Sequence, residues 1–335
     1  MLYFHYGFVT NFEGLKYQND AKEFIDSFKL NTDRLFYSIY PIIIATILKL
    51  RIGLYGVLVF QLIINAWATY RFYCIARKLF SNMWIAIYAT CILILTFQIQ
   101  IWNFHLYTES LFISGLIIYT YRLITINFFS IKHFIYLGIL VLILSFVRPT
   151  GILLIIPTLV YFIFSHKEKS LSFYRISLWA LAAIAVVIVH ILYSAGQFYE
   201  FVYRAWNNYW VIWAYSGFSD SFVESTSDTH RVIKLLSYRK LYFFSMLRPY
   251  YSDFHNLLMM TFYPVYVLAF IGIIPFWRKN KAMLLFVVTL IAVFSMFSIL
   301  TFINWHGRFI APILPFFILL SGAGIQLIFK NKFAK

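Results

Sequence analysis

The chain has 335 residues, of which 62% are hydrophobic and 12% charged, and its mean hydropathy is +0.78. These values exclude an ordinary soluble domain, in which about 25% of residues are charged. The net charge of +16 does not indicate nucleic-acid binding, because the basic residues form small groups between apolar runs. Composition therefore predicts an all-α integral membrane protein, since a lipid core offers backbone amides no partner outside the protein.

Uncharged runs predict nine membrane-spanning helices, because a bilayer core needs about 20 apolar residues per helix. They lie at 54–74, 83–102, 107–126, 131–147, 150–165, 175–195, 257–278, 282–303 and 309–329. The shorter apolar stretch 36–50 contains Pro41 and predicts a re-entrant or interfacial helix. The predicted organisation is an outer N-terminal segment at 1–53, six transmembrane helices at 54–195, an aromatic-rich outer loop at 196–256, and three transmembrane helices with a short cytoplasmic tail at 257–335.

Basic residues in short loops predict the orientation, since cytoplasmic loops are enriched in Lys and Arg. Short loops on the opposite, outer side hold only Arg148 and Arg308 as cations. In this topology every acidic residue except Glu168 falls outside, so chemistry is expected at the outer face. Long outer loops need polar residues in any case, so a purely solvating role remains the alternative.

The N-terminal run YQNDAKEFIDSF places Asp20, Glu23 and Asp26 at helical spacing, just before the apolar stretch 36–50. Carboxylates at this position would lie at the membrane surface, which makes Asp20 a candidate general base. A solvated amphipathic helix explains the same charge pattern.

A second acidic candidate, Glu109, opens an apolar helix directly after Thr108. A side-chain cap from Thr108 and the helix dipole would both favour a carboxylate there. A carboxylate in the first turn of a span is partly desolvated, so it is tolerable there but costs more than a neutral residue would. His105 and Tyr107 are predicted to share a polar pocket with it.

The outward arginines Arg148 and Arg308 each precede an apolar helix, and His306 lies beside the second. An outward arginine runs against the charge bias of membrane loops and predicts an anionic partner such as phosphate. A snorkelling side chain is the simpler alternative. The two cysteines, Cys74 and Cys91, have neither metal-ligand spacing nor the pattern of a disulfide framework.

Six short motifs occur in the order QNDAKEF, YSIYP, ARKLF, YTESLF, RPTG and HGRFIAPILP. Their order and spacing resemble the GT-C glycosyltransferases, the broad group that includes protein mannosyltransferases and aminoarabinose transferases. The resemblance implies a GT-C-like multispanning helical bundle with interfacial helices on the outer face. It also implies a polyprenyl-phosphate-linked sugar donor and a glycan, lipid or protein acceptor.

The resemblance implies roles for individual residues as well. Asp20 matches the catalytic base or acceptor-orienting aspartate, and Glu109 matches a second acidic residue. Arg308 and Arg148 match arginines that contact the lipid phosphate, with His306, His105 and Tyr107 as further substrate-binding candidates. The implied activity is inverting transfer of a hexosyl or pentosyl group at the outer membrane face. The shortness of the chain and its lack of long soluble extensions predict a bacterial inner membrane, so that this face would be periplasmic.

Further expectations concern a metal ion, the N-terminal residues and an alternative function. The reaction requires no metal, although carboxylates are the oxygen ligands that divalent cations take. Residues 1–9 look like the end of a first span that is largely missing, and they lack the features of a cleavable signal peptide. A non-enzymatic carrier or accessory protein for lipid-linked sugars would explain the spans, aromatics and outward arginines equally well.

Overall fold

A computed structural model describes residues 8–10, 13–80, 82–125, 131–165, 237, 239–249, 251–301 and 307–328. All regular elements in this part of the chain are helices, which confirms the predicted all-α class. The principal helices are α1 (Glu13–Ser27), α2 (Ile39–Lys49), α3 (Leu54–Leu79), α4 (Met83–Leu95), α5 (Glu109–Ile124), α6 (Ile131–Val147), α7 (Ile155–Ser165), α8 (Asp253–Met260), α9 (Tyr263–Lys279), α10 (Lys281–Thr301) and α11 (Leu314–Ile328).

Three stretches among the described residues are long and apolar enough to cross a membrane. They are Asp253–Lys279, which joins α8 to α9, Lys281–Ile299 within α10, and Ala311–Ile328 around α11. These correspond to the last three predicted spans. A fourth is added if Met83–Leu95 and Phe97–Phe104 count as one span, which is bent by 57° at Thr96.

The prediction of nine spans is higher than the described residues show. Helix α3 has 26 residues, but Gln61, Asn65 and Arg71 lower its hydropathy. Helix α5 has 16 residues, while α6 and α7 belong to shorter apolar helices. Helix α2 matches the short helix predicted within 36–50, and the predicted span 175–195 lies outside the described residues.

Helix α9 carries apolar residues on two opposite faces, but only one of these faces packs against the bundle. Large apolar side chains that are 45–78% exposed recur every three or four residues on one face: Val267, Phe270, Ile274 and Trp277. The opposite face is buried against the bundle through Val265, Ala269, Gly272 and Phe276. In water the exposed face would be polar. An apolar outward face is what contact with a lipid bilayer requires, so the helix is suited to that surrounding.

Helices α9 and α11 pack with their backbones close together at two glycines. A Cβ atom on Gly272 would lie 2.0 Å from the carbonyl oxygen of Leu320, and one on Gly324 would lie 2.1 Å from the carbonyl oxygen of Leu268. Small residues let membrane helices approach in this way, and the close contact gives dispersion energy that lipid cannot supply. The two glycines therefore set the spacing of two candidate spans.

Replacing Gly272 by alanine is expected to destabilise the protein by about 1–3 kcal/mol, because the clashing atom belongs to the backbone of α11 and cannot rotate away. Unfolding of the purified protein in detergent micelles measures the effect. Val267→Leu adds one methylene to the exposed face of the same helix and should unfold like the wild type. Equal stability of Gly272→Ala and the wild type would contradict the close crossing.

Candidate functional site

The loop 101–108 leads into α5 and is held from the first half of α3 by Gln61. This side chain is fully buried, and its Nε2 donates to the carbonyl oxygens of Asn103 at 3.0 Å and His105 at 3.1 Å. Its Oε1 accepts a hydrogen bond from the Tyr40 hydroxyl at 2.5 Å. A buried amide with three partners fixes the loop, because each lost bond would leave a desolvated polar atom.

The segment before α1 is tied to the same loop. The backbone N–H of Val9 donates to the carbonyl oxygen of Phe104, and the N–H of Leu106 donates to the carbonyl oxygen of Val9, both at 2.8 Å. Gly14, in the first turn of α1, packs on Leu106 so closely that a Cβ would lie 3.3 Å from it. These contacts bring the beginning of α1 next to the beginning of α5.

Four charged residues meet at this junction, and we call them the charge cluster: Glu13, Glu109, Arg148 and Arg308. Glu109 Oε1 accepts hydrogen bonds from Arg148 Nη1 at 2.8 Å and from Arg308 Nε. Arg308 Nη2 donates in turn to Glu13 Oε2. The cluster thereby joins α1, α5 and the segments that precede α7 and α11.

The charge cluster is formally neutral, and it is buried around Glu109. Glu109 is 0% exposed, whereas the side chain of Glu13 is 37% exposed at the rim. Burial acts to lower the pKa of the Arg308 guanidinium, but the carboxylates of Glu109 and Glu13 outweigh burial and raise that pKa above its ordinary value. Arg308 therefore stays a cation, and it serves as the bridge between the two carboxylates.

Aromatic rings enclose the two guanidinium groups. Phe309 faces both of them, at 5.6 Å from Arg148 and 5.8 Å from Arg308. Tyr107 lies 5.1 Å from Arg308, and Phe112 lies 5.7 Å from Arg148. These distances fall within the range of cation–π attraction, and the rings keep water away from the ion pairs. Low polarity around the cluster strengthens each pairing and raises the cost of breaking it.

Asp20 occupies a separate position on α1. The residues Glu13, Tyr17 and Asp20 recur at helical spacing and share one face of this helix. Asp20 is 7% exposed; its Oδ2 lies 2.8 Å from Arg34 Nη1, and its Oδ1 accepts a hydrogen bond from Asn31 Nδ2 at 3.2 Å. The seven-residue rise from Glu13 corresponds to roughly 10 Å along the helix. Asp20 therefore has its own partners, apart from the charge cluster.

Tyr17 lies between these two groups on α1. Its hydroxyl donates to Glu13 Oε2 at 3.5 Å, and its ring meets the ring of Tyr40 edge-on at 5.3 Å. Burial, followed by the negative charges of Glu13 and Glu109, raises the pKa of the Tyr17 hydroxyl well above its ordinary value. Tyr17 therefore remains protonated and acts as a neutral hydrogen-bond donor.

The structure brings several of the predicted site residues together. Glu109, Arg148, Arg308 and Tyr107 are in contact, and the His105 ring lies 5.6 Å from the Tyr107 ring. The pairing of both arginines with Glu109 was not anticipated. His306 lies outside the described residues. The predicted roles of all these residues in catalysis or substrate binding stay predictions.

Local details also differ from expectation. Helix α5 begins at Glu109 as predicted, but the Thr108 side chain makes no capping hydrogen bond. The Glu109 carboxylate instead pairs through Oε1 with two arginines. Sequence reasoning missed Glu13 and Gln61 as site residues. The helical spacing of Glu13 relative to Asp20 was a usable signal, whereas a glutamine within an apolar helix gives no indication of its partners.

The described residues contain no group of three or more His, Cys, Asp or Glu side chains arranged to hold a metal ion. Comparison of the chain with protein-family models and with curated proteins found no match. Functional assignment therefore depends on the geometry of the charge cluster, the Asp20 group and their surroundings.

Substituting Glu109 by glutamine is expected to cost about 3–5 kcal/mol of folding stability, because it leaves buried arginines facing a neutral amide. Glu13→Gln should cost less, since Glu13 is partly solvated. Chemical unfolding of the purified protein in detergent gives both values. The exposed residue Glu23 provides the control, and Glu23→Gln should stay within about 0.5 kcal/mol of the wild type. A Glu109→Gln protein as stable as this control would show that the ion pairs contribute little.

Proposed function

We propose that this chain is a membrane glycosyltransferase that moves a sugar from a polyprenyl-phosphate donor to an acceptor hydroxyl, with Asp20 as the general base. The observation that carries the proposal is the placement of Asp20. It is a nearly buried carboxylate on a helix that is docked by ion pairs at the end of an apolar bundle. A carboxylate held in this way is available for proton transfer without having to anchor the fold.

The contrast between Asp20 and Glu109 supports the choice of base. Glu109 shares one oxygen between two guanidinium groups and is 0% exposed, so moving it would separate buried charges. The partner of Asp20 is Arg34, whose side chain is 34% exposed, so this pair is less enclosed than the pairs of Glu109. We assign Glu109 a positioning role and Asp20 the proton transfer.

The proposed reaction is a single displacement. Asp20 accepts the proton of the acceptor hydroxyl while that oxygen attacks the anomeric carbon of the sugar. The bond between the anomeric carbon and the phosphate oxygen breaks, and the electron pair leaves with the lipid phosphate. Because the phosphate leaves as a stabilised anion, it needs no general acid, and a nearby cation would favour its departure.

The surroundings of α1 suit a lipid-linked donor. Phe28 follows the end of α1, is 70% exposed, and lies 5.3 Å from Lys49 at the end of α2. Exposed aromatic rings beside lysines are typical of a membrane interface, where ring and charge meet different layers. In this proposal α1 and α2 lie at the outer interface, and the compartment is the periplasm of a bacterium.

Arg148 and Arg308 have a narrower role in this proposal than a phosphate-binding pair would have. Each already faces Glu109, so its charge is matched by a carboxylate before any phosphate binds. This closed pairing also favours the second candidate function, a non-enzymatic carrier or accessory protein, in which the charge cluster is purely structural. Turnover distinguishes the two functions, because a carrier moves or holds the lipid-linked sugar without breaking its bond to phosphate.

Asp20→Asn is expected to lower the rate of sugar transfer in membranes by about 10²–10⁴-fold, the usual contribution of a general base. The amide keeps the size of the side chain and can still contact Asn31. Asp26→Asn, an exposed change on the same helix, is the matched control and should leave the rate unchanged. The assay follows transfer of labelled sugar, with melting of each purified variant measured in parallel. Normal turnover in a folded Asp20→Asn protein would rule out the assignment.

A further inference from the structure

The end of the bundle opposite the charge cluster carries a group of cations. Helix α5 begins in the charge cluster and ends at Ile124, about 24 Å away at the usual rise of a helix. The Lys78 ammonium, near the end of α3, donates to the carbonyl oxygen of Ile124, so α3 ends at the same level. Arg122 lies 5.1 Å from the ring of Tyr136, which belongs to the second turn of α6. Three helices therefore bring cations to this end.

Helices α7, α9 and α10 add to the same group. Helix α6 leads to Arg148 in the charge cluster, and α7 leads away from it, so α7 ends on the opposite side. Lys281, at the start of α10, lies 5.4 Å from the ring of Phe164 near the end of α7 and 4.5 Å from the ring of Trp277 near the end of α9. We call the exposed cations at this end the basic rim: Lys78, Arg122, Lys132, Arg278, Lys279 and Lys281.

Carboxylates do not balance the basic rim in the part of the chain that the structure describes. None of its members forms an ion pair with a described carboxylate. The described acidic residues lie toward the other end, in α1, in residues 32–37, and at the first residues of α5 and α8. Glu168 lies outside the described residues. A surface with charge of one sign attracts an anionic partner.

The surface beside the basic rim is apolar, which favours a lipid over an acidic protein as that partner. The exposed apolar face of α9 ends at Trp277, and Arg278 and Lys279 follow it directly. Trp277 and Phe164, the two rings beside Lys281, are each 45% exposed. Apolar side chains suit acyl chains, aromatic rings settle at the membrane interface, and the cations beyond them reach the headgroup layer.

Arg71 lies deeper than the basic rim, between α3 and α5. It precedes Lys78 by seven residues on α3, which corresponds to roughly 10 Å toward the middle of the bundle. Its guanidinium lies 4.6 Å from the ring of Tyr121 on α5, 5.5 Å from Tyr70 and 5.7 Å from Trp67. Tyr70 is 58% exposed and Trp67 40% exposed, so the cation lies beside an outward-facing aromatic surface. Its Nε is buried and has no hydrogen-bond partner among the described residues.

We propose that the basic rim binds the headgroups of anionic phospholipids of the surrounding bilayer, and that Arg71 holds one such lipid beside α3 and α5. Its guanidinium donates to the lipid phosphate, which it reaches through snorkelling and local thinning of the bilayer. In this proposal the rim faces the cytoplasmic leaflet, whose surface potential is negative. The lipid is distinct from a sugar donor, because Asp20 and the charge cluster lie at the other end. The proposal therefore does not depend on transferase activity.

Titration of the purified full-length chain with phospholipids in neutral detergent tests this surface. The probes are dioleoyl phosphatidylglycerol, which is anionic, and dioleoyl phosphatidylcholine, which has the same acyl chains and no net charge. Native mass spectrometry counts the lipids bound. At low salt we expect phosphatidylglycerol to bind at least about 10-fold more tightly, since several cations attract it together, and added salt should reduce the difference. Equal affinity for the two lipids at low salt would overturn the proposal.

Variants locate the deepest contact. Arg71→Gln should weaken binding of the first phosphatidylglycerol about 5-fold, the contribution of one cation at an anionic membrane surface. Arg71→Lys retains the charge and should bind within about 2-fold of the wild type, since lysine also pairs with phosphate. Lys22→Gln is the matched control, because it removes an exposed cation from α1 at the other end of the bundle. It should bind phosphatidylglycerol like the wild type.

Unchanged binding in a folded Arg71→Gln protein would overturn the assignment of Arg71. Lys281→Gln is an exposed change that tests the rim even if Arg71→Gln fails to fold. It should lower the number of phosphatidylglycerol molecules bound at a fixed lipid concentration, and an unchanged number would overturn the rim. A loss in Lys22→Gln equal to that in Arg71→Gln would show an effect of net charge alone and would also overturn the site. No sugar donor or acceptor is present, so failure of this test leaves the assignment of Asp20 standing.

Discussion

The pairing of Glu109 with Arg148 and Arg308 constrains the described end of the bundle more than any other interaction. A carboxylate at 0% exposure among Phe112 and Phe309 is tolerable only while its cations stay in contact. The start of α5, the segment before α7 and the segment before α11 must therefore converge on one point. Through Arg308 the same pairing reaches Glu13 and fixes the beginning of α1. The position of Asp20, two turns further along that helix, follows from this anchoring.

In this account, charged residues of the same type have either a structural or a chemical role. Glu109 is committed to holding helices together, whereas Asp20 has a partner in Arg34 that solvent can reach. Arg148 and Arg308 are matched by carboxylates, whereas Arg248 contacts carbonyl oxygens and an aromatic ring in the part of the chain that the structure describes. The outward face of α9 is apolar and is suited to contact with lipid.

Sequence patterns predicted the features that depend on local composition. The all-α class, the three apolar stretches near the C-terminus and the start of α5 at Glu109 all follow from hydropathy and from the position of a carboxylate before an apolar run. Among the described residues three stretches qualify as spans, or four with the bent pair, against the nine predicted, because α5 is short and a bend at Thr96 divides another apolar run. The partners of Arg148 and Arg308 were not predictable, since ion pairs between distant segments leave no periodic trace. The same holds for Gln61, whose hydrogen bonds join α3 to a loop far along the chain.

The most direct test of the transferase proposal is to incubate membranes containing this chain with a panel of labelled polyprenyl-phosphate sugars and candidate acceptors. The measured quantity is the release of polyprenyl phosphate that depends on both the acceptor and the chain. The account predicts release for at least one donor, matched in amount by labelled sugar on the acceptor. Donor binding or movement across the bilayer with no cleavage of the sugar–phosphate bond, for every donor in the panel, would contradict it and favour a carrier.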